Sequence, residues 1–97
     1  MKADDLQKRV GRVIRYYRER NGFSQEGFAD HIDVHRTYYG AVERGRQNLT
    51  LRRLQQIADG LELTLWKLFH EAETKRESDF PPPRKPGRPP GIPQRRR

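Results

Sequence analysis

Apolar residues recur at steps of three and four along most of the first 70 residues, which is the spacing of one face of an α-helix. The first run starts near Asp4 or Asp5 and stops at Gly22. Four shorter runs follow, giving the predicted core: Leu6, Val10, Val13, Ile14 and Tyr17; Phe28, Ala29 and Ile32; Val34, Tyr39 and Val42; Leu51, Leu54, Ile57, Ala58 and Leu61; Leu65, Leu68 and Phe69. This pattern predicts an all-α, compact five-helix fold.

Residues 24 to 45 form the most informative stretch, because they read as two short helices joined by a tight turn. Ser24 can cap the first of these helices, and Gly45 can adopt the left-handed conformation that ends the second. Thr50 can likewise cap the fourth helix of the chain. On the second helix of the pair, the residues left facing outward have no predicted packing role: Arg36, Thr37, Gly40 and Ala41.

The spacing of several residues from about Val10 to Phe69 resembles the Cro/phage-repressor (XRE-type) helix-turn-helix family. The positions that carry the resemblance are Ser24-Gln25, Phe28-Ala29, Val34, Tyr39, Val42 and Glu43-Arg44-Gly45. The resemblance implies DNA binding through the second helix of the motif, whose N-terminal part reaches base edges in the major groove.

The resemblance also assigns roles to individual residues. Arg36, Thr37 and Ala41 are the implied base readers, and Gly40 would let the helix approach closely. Arg36 can donate two hydrogen bonds to guanine, although a phosphate contact without sequence content is the alternative. Phosphate contacts are implied or expected for a further set: Gln25, His35, Tyr38, Arg44, Arg46 and Asn48. His35 stands where the family usually has a capping Ser or Thr.

Two further features follow from the family pattern. Arg18 is at the place of an arginine that pairs with the glutamate ending the recognition helix, here Glu43, in a largely buried ion pair. Asp33 and Glu62 occupy turn positions where glycine is common, so both would need a positive φ.

Composition limits the folded part of the chain. All seven prolines lie between Pro81 and Pro93, so we predict a helix-turn-helix domain over residues 1–74 and a disordered basic tail over residues 75–97. Most of the formal charge of +8 lies on that tail. The chain has no cysteine, no run long enough to span a membrane and no signal-peptide pattern, so a cytoplasmic protein of the nucleoid is expected.

The tail segment Lys85-Pro86-Gly87-Arg88-Pro89 resembles an AT-hook, in which a Gly-Arg-Pro unit lays arginine along the minor groove of A·T-rich DNA. The usual hook has arginine where Pro86 stands. Lys85, Gly87 and Arg88 are therefore candidate minor-groove residues, and a generic polycationic arm that binds any phosphate backbone is the alternative.

No His, Cys or Asp set has metal-ligand spacing, and no nucleophile has a neighbouring base, so we expect neither an enzyme nor a cofactor. The favoured function is a sequence-specific transcriptional regulator, a repressor or controller-type autoregulator, that binds a palindromic operator in double-stranded DNA as a homodimer. Trp66 and Phe69 are the candidate dimer patch, with packing of Trp66 on the fourth helix as the alternative. Two other functions remain open: an antitoxin-like protein with a protein partner, and a nonspecific nucleoid protein.

Overall fold

The computed structural model describes residues 1–82, which contain five α-helices, one short 3₁₀ helix and no strand. In chain order the α-helices are α1 (Ala3–Arg20), α2 (Gln25–His31), α3 (Arg36–Glu43), α4 (Leu51–Leu61) and α5 (Leu65–Thr74). The prediction of an all-α, five-helix fold is therefore confirmed.

Three helices begin at hydroxyl caps. The side-chain oxygens of Ser24, Thr50 and Thr64 accept hydrogen bonds from the amides three residues on, at 2.9, 3.1 and 3.0 Å. Each cap satisfies a backbone donor that has no partner within the helix. The starts of α2, α4 and α5 are thus set by local sequence, as predicted for Ser24 and Thr50.

The core lies where α1 crosses α3, α4 and α5. Its largest fully buried side chains come from all five helices: Tyr39, Phe28, Ile14, Ile57, Leu68, Val13 and Val42. Gly11 makes the crossing of α1 and α3 possible, because a Cβ there would lie 2.5 Å from the carbonyl oxygens of both Val42 and Glu43. The C-terminal end of α3 is therefore held directly against the backbone of α1.

Four turn residues adopt positive φ. Gly22 and Gly45 do so at 83° and 75°, where glycine meets no steric cost. Asp33 and Glu62 both lie at 61°, as the family pattern requires. The left-handed geometry is thus retained at two positions whose side chains oppose it.

The folded part continues past the predicted boundary at residue 74. Residues Glu77–Asp79 form the 3₁₀ helix, and Phe80 is buried against Tyr16 of α1, with ring centroids 5.3 Å apart. The Asp79 carboxylate accepts a hydrogen bond from the amide of Arg76 at 2.7 Å, which fixes this short turn. A single apolar anchor has no periodicity, so the sequence pattern did not reveal it.

Candidate nucleic-acid interface

The turn between α2 and α3 is tied to α4. Asp33 supplies the left-handed residue, and the amide of Val34 donates to the carbonyl of Ala29 at 2.9 Å. From α4, the side-chain amide of Gln56 donates to the carbonyl of Ile32 at 2.6 Å. The angle between the two helices of the motif is therefore fixed by contacts from a third helix.

The N-terminal end of α3 is exposed. His35 is its cap, and the ring Nδ1 of His35 accepts a hydrogen bond from the amide of Thr37 at 3.2 Å. His35 thus caps α3 at the position where the family usually has Ser or Thr. Arg36 and Thr37 are exposed and Ala41 is half-buried, so all three can be reached from outside.

The guanidinium of Arg36 is bonded to two carboxylates of α2. Asp30 accepts from Nη2 at 3.0 Å and from Nε at 3.4 Å, and Glu26 accepts from Nη1 at 3.3 Å. The hydrogen bonds and charge of Asp30, with a smaller contribution from Glu26, raise the pKa of Arg36 above its ordinary value. The first outward residue of α3 is therefore held by the helix before it.

At the other end of α3, Glu43 forms the ion pair with Arg18 that the family resemblance implies. Nε and Nη2 of Arg18 donate to the two carboxylate oxygens at 2.6 and 3.0 Å, and both side chains are buried. Burial alone would lower the pKa of Arg18, but the hydrogen bonds and charge of Glu43 outweigh it and raise that pKa. Arg18 also donates to the carbonyl of Phe23 at 2.8 Å, so it joins α1, the loop before α2, and α3.

Tyr39 is fully buried beside this pair, and its hydroxyl has no hydrogen-bond partner within residues 1–82. Burial raises the pKa of Tyr39 well above its ordinary value, and the neighbouring Glu43 carboxylate adds to the rise. The phenol therefore stays neutral, and the Tyr39 ring packs in the core on the inner face of α3.

The prediction that Gly40 faces outward is wrong, because Gly40 is buried beneath two side chains. A Cβ at this position would lie 3.2 Å from the Gln25 side-chain oxygen and 3.2 Å from Nη1 of Arg44. Gln25 crosses α3 here and donates to Glu43 at 3.1 Å. The missing side chain thus makes room for Gln25, and in this structure Gln25 and Arg44 cover the surface of Gly40.

The remaining phosphate candidates lie at the edge of α3 and in the loop that follows. Arg44, Arg46 and Asn48 are exposed. Tyr38 is half-buried, and the guanidinium of Arg53 lies 5.1 Å from its ring centroid. Arg53 in turn donates to Gln56 at 2.7 Å, so Tyr38 is connected to the side chain that holds the turn.

On α5, Trp66 is 71% exposed and its ring stacks on His70, with centroids 4.8 Å apart and planes 7° apart. The alternative in which Trp66 packs against α4 is therefore wrong. Phe69 is half-buried against the core, so the exposed aromatic surface of α5 consists mainly of Trp66 and His70 and differs from the predicted Trp66–Phe69 patch.

Sequence reasoning missed Asp30, Glu26 and Gln56. Each is polar, and each acts on a residue six or more positions away, so helical periodicity carries no signal for it. Lys85, Gly87 and Arg88 lie outside the described residues. Among residues 1–82 there is no group of three or more His, Cys, Asp or Glu side chains arranged to hold a metal ion. No helix in that range is long and apolar enough to cross a membrane.

Comparison with known proteins agrees with this geometry. A family model described as helix-turn-helix matches residues 14–65. The control protein C.MunI of a Mycoplasma species is 41% identical over 71 residues, covering 72% of this chain and 96% of that protein. The control protein C.SmaI of Serratia marcescens is 37% identical over 73 residues, covering 75% of this chain and 87% of the relative.

A solved structure gives the same result in three dimensions. The restriction–modification controller protein C.Esp1396I, solved as a tetramer in complex with its natural 35 base-pair operator, superposes with a TM-score of 0.63 at 34% identity. The match covers 70% of this chain and 90% of that chain. The chain belongs to the helix-turn-helix family of DNA-binding transcription regulators of the Cro/C1 type.

Proposed function

We propose that this protein is a controller-type transcriptional regulator that binds a palindromic operator as a homodimer, acting in the cytoplasm on DNA of the nucleoid. The observation that carries the proposal is the exposed N-terminal end of α3, where Arg36 and Thr37 project from a helix fixed at both ends. Relatives named as control proteins favour this function over the antitoxin-like alternative.

In the proposed complex, the start of α3 enters the major groove. Arg36 donates to guanine O6 and N7, Thr37 contacts a base through its hydroxyl or methyl group, and Ala41 touches a thymine methyl. Phosphates are bound around this centre by the half-buried Tyr38 and by the exposed polar residues of the motif and its following loop: Gln25, His35, Arg44, Arg46 and Asn48. Such contacts fix orientation and carry little sequence information.

Base reading by Arg36 is tested after the preferred duplex has been selected from a random pool. Arg36→Lys keeps a positive charge beside Asp30 and Glu26 but loses the planar fork that contacts two acceptors. We expect it to cost about 1–3 kcal/mol on the preferred duplex and to relax the requirement at one base pair, with little change on random DNA. Equal losses on both DNAs would make Arg36 a phosphate contact.

The dimer is proposed to form through the exposed aromatic surface of α5, because exposed apolar surface marks interaction sites and Trp66, 71% exposed, stacks on His70 there. Trp66→Ala should weaken self-association in sedimentation measurements while leaving helix content nearly unchanged, since Trp66 is outside the core. In footprinting, the wild-type dimer should protect two inverted half-sites whose centres are about one turn, ~10 bp, apart. One asymmetric site bound by a single chain would refute the dimer.

A further inference from the structure

We infer that Asp30 and Glu26 increase the protein's discrimination between its operator and random DNA, by holding Arg36 in an arrangement that suits a guanine edge better than a phosphate. The inference rests on the proposed function, because it concerns the base-reading role of Arg36. It adds two positioning residues of α2 to the reading surface of α3.

Arg36 has more hydrogen-bond donors than the two carboxylates use. A guanidinium has five N–H donors, and in this structure Nε, Nη1 and Nη2 each donate once to Asp30 or Glu26. One N–H therefore remains on each of the two terminal nitrogens. Two donors are what guanine O6 and N7 accept, so the number of N–H groups left on the terminal nitrogens equals the number that guanine needs.

Both carboxylates that bind Arg36 belong to a helix that is packed into the core. Asp30 and Glu26 lie one turn apart on α2, and α2 is fixed in the core by Phe28 and Ala29, both fully buried. Arg36 is therefore bonded to a rigid support, although its own side chain is 56% exposed. A long side chain that is already ordered loses less freedom when it binds, which is the general advantage of preorganisation.

The cluster of Arg36, Asp30 and Glu26 has a net charge that a phosphate and a base feel differently. Two carboxylates share one guanidinium, so the cluster as a whole is negative by one unit. A phosphate that approaches Arg36 meets this net negative charge and is repelled, whereas the edge of a base is neutral. The cluster should therefore weaken phosphate contacts of Arg36, which form on any DNA, more than base contacts of Arg36, which form on the operator.

The test compares Asp30→Asn with the wild-type chain, using the selected duplex and a scrambled duplex at several salt concentrations. We expect binding to the scrambled duplex to tighten by up to about fivefold, the range for one exposed charge pair, while operator binding changes less. If a new phosphate contact forms, the salt dependence on scrambled DNA should steepen by up to ~0.9. The ratio of the two dissociation constants should therefore fall.

Asp33→Asn is the matched control, because it removes the same charge three residues away and Asp33 is not among the partners of Arg36. It should change the affinity for both duplexes by the same small factor. If Asp30→Asn behaves in the same way, Asp30 contributes only a general negative field and the inference is overturned.

A second readout follows the Arg36 side chain itself in free protein. In ¹⁵N spectra, the Nε–H signal of Arg36 should shift and exchange faster with water in Asp30→Asn, and should stay in place in Asp33→Asn. An unmoved signal overturns the inference. A wild-type chain that prefers no duplex would contradict the proposed function as well, whereas a discriminating wild type with an unchanged ratio in Asp30→Asn overturns this inference alone.

Discussion

The buried guanidinium of Arg18 links α3 to the rest of the fold, since it belongs to α1 and bonds to both α3 and the loop before α2. Arg18→Met or Glu43→Leu alone should each destabilise the protein by about 3–5 kcal/mol, because each removes the main ion-pair partner of a buried charge. The double variant should recover much of that loss in thermal unfolding.

Recovery in the double variant should be incomplete for a reason that the structure supplies. Without Arg18, the part-buried carbonyl of Phe23 also loses its hydrogen bond, whereas the exposed amide of Gln25 can turn to water after loss of Glu43. If the stability lost in the double variant equals the sum of the losses in the two single variants, Arg18 and Glu43 do not act as a pair.

Individual contacts of α3 differ in how far the sequence predicts them. The Arg18–Glu43 pair follows from the family resemblance, because Glu43 belongs to the spaced pattern that carries it and Arg18 stands where the family has the arginine that pairs with this glutamate. The partners of Arg36 cannot be inferred from the resemblance, since exposed carboxylates occur at many helical positions. Only the packing of α2 against α3 brings Asp30 and Glu26 close to Arg36. Helical periodicity predicts that Gly40 faces outward, but the Gln25 side chain from α2 covers it.

The turn between α4 and α5 contains a residue, Glu62, in a backbone conformation that is unfavourable for any residue with a Cβ. Glu62 has φ 61° and ψ 40°, the left-handed region that a Cβ disfavours. Glu62→Gly should raise the free energy of unfolding by up to about 1 kcal/mol, because relief of the strain exceeds the extra freedom that glycine gives the unfolded chain. Thermal or urea unfolding measures the change.

Two variants control this experiment. Glu62→Ala removes the carboxylate but keeps the Cβ, so it should not give the gain. Asp33→Gly should give a smaller gain, because aspartate tolerates the left-handed region better than glutamate. A loss of stability in Glu62→Gly would show that the side chain of Glu62 contributes more to the turn than its backbone strain costs.

The ends of the elements were predictable where their signals are local. Ser24 and Thr50 cap their helices through amides three residues away, and Gly45 takes the positive φ expected of it. The segment over residues 75–80 was not predictable, because Phe80 is its one buried side chain and becomes an anchor only through its contact with Tyr16 in α1. Periodicity identifies a helix face only when several apolar residues recur along it, so one isolated apolar residue such as Phe80 gives no signal.

At the scale of the whole molecule, charge is divided unequally along the chain. Residues 83–97 carry six Lys or Arg and no acidic residue, out of a formal net charge of +8 for the protein. The helical part carries nearly balanced charge, and many of its charged side chains form ion pairs with one another, such as Arg36 with Asp30 and Arg18 with Glu43. Long-range attraction to DNA is therefore expected to come mainly from residues 83–97, and sequence reading from α3.

The two hypotheses for residues 83–97 both predict tighter binding, so the test must separate them by sequence preference. Ending the chain at Pro82 keeps the Phe80 anchor and removes all six basic residues. If they act as a generic arm, the truncated protein should lose affinity equally for A·T-rich and G·C-rich duplexes, and its salt dependence should flatten by up to ~0.9 for each lost phosphate contact.

An AT-hook-like contact through Lys85, Gly87 and Arg88 predicts a different result for a single substitution. An arginine in the narrow minor groove of an A-tract gains from the deeper negative potential there. Arg88→Ala should therefore weaken binding to operators flanked by A-tracts and spare operators flanked by G·C pairs. Arg96→Ala, which removes the same charge outside the Gly-Arg-Pro unit, should weaken both slightly and equally. If the two substitutions have the same effect on both flanks in fluorescence anisotropy, Arg88 contributes through its charge alone and the hook is excluded.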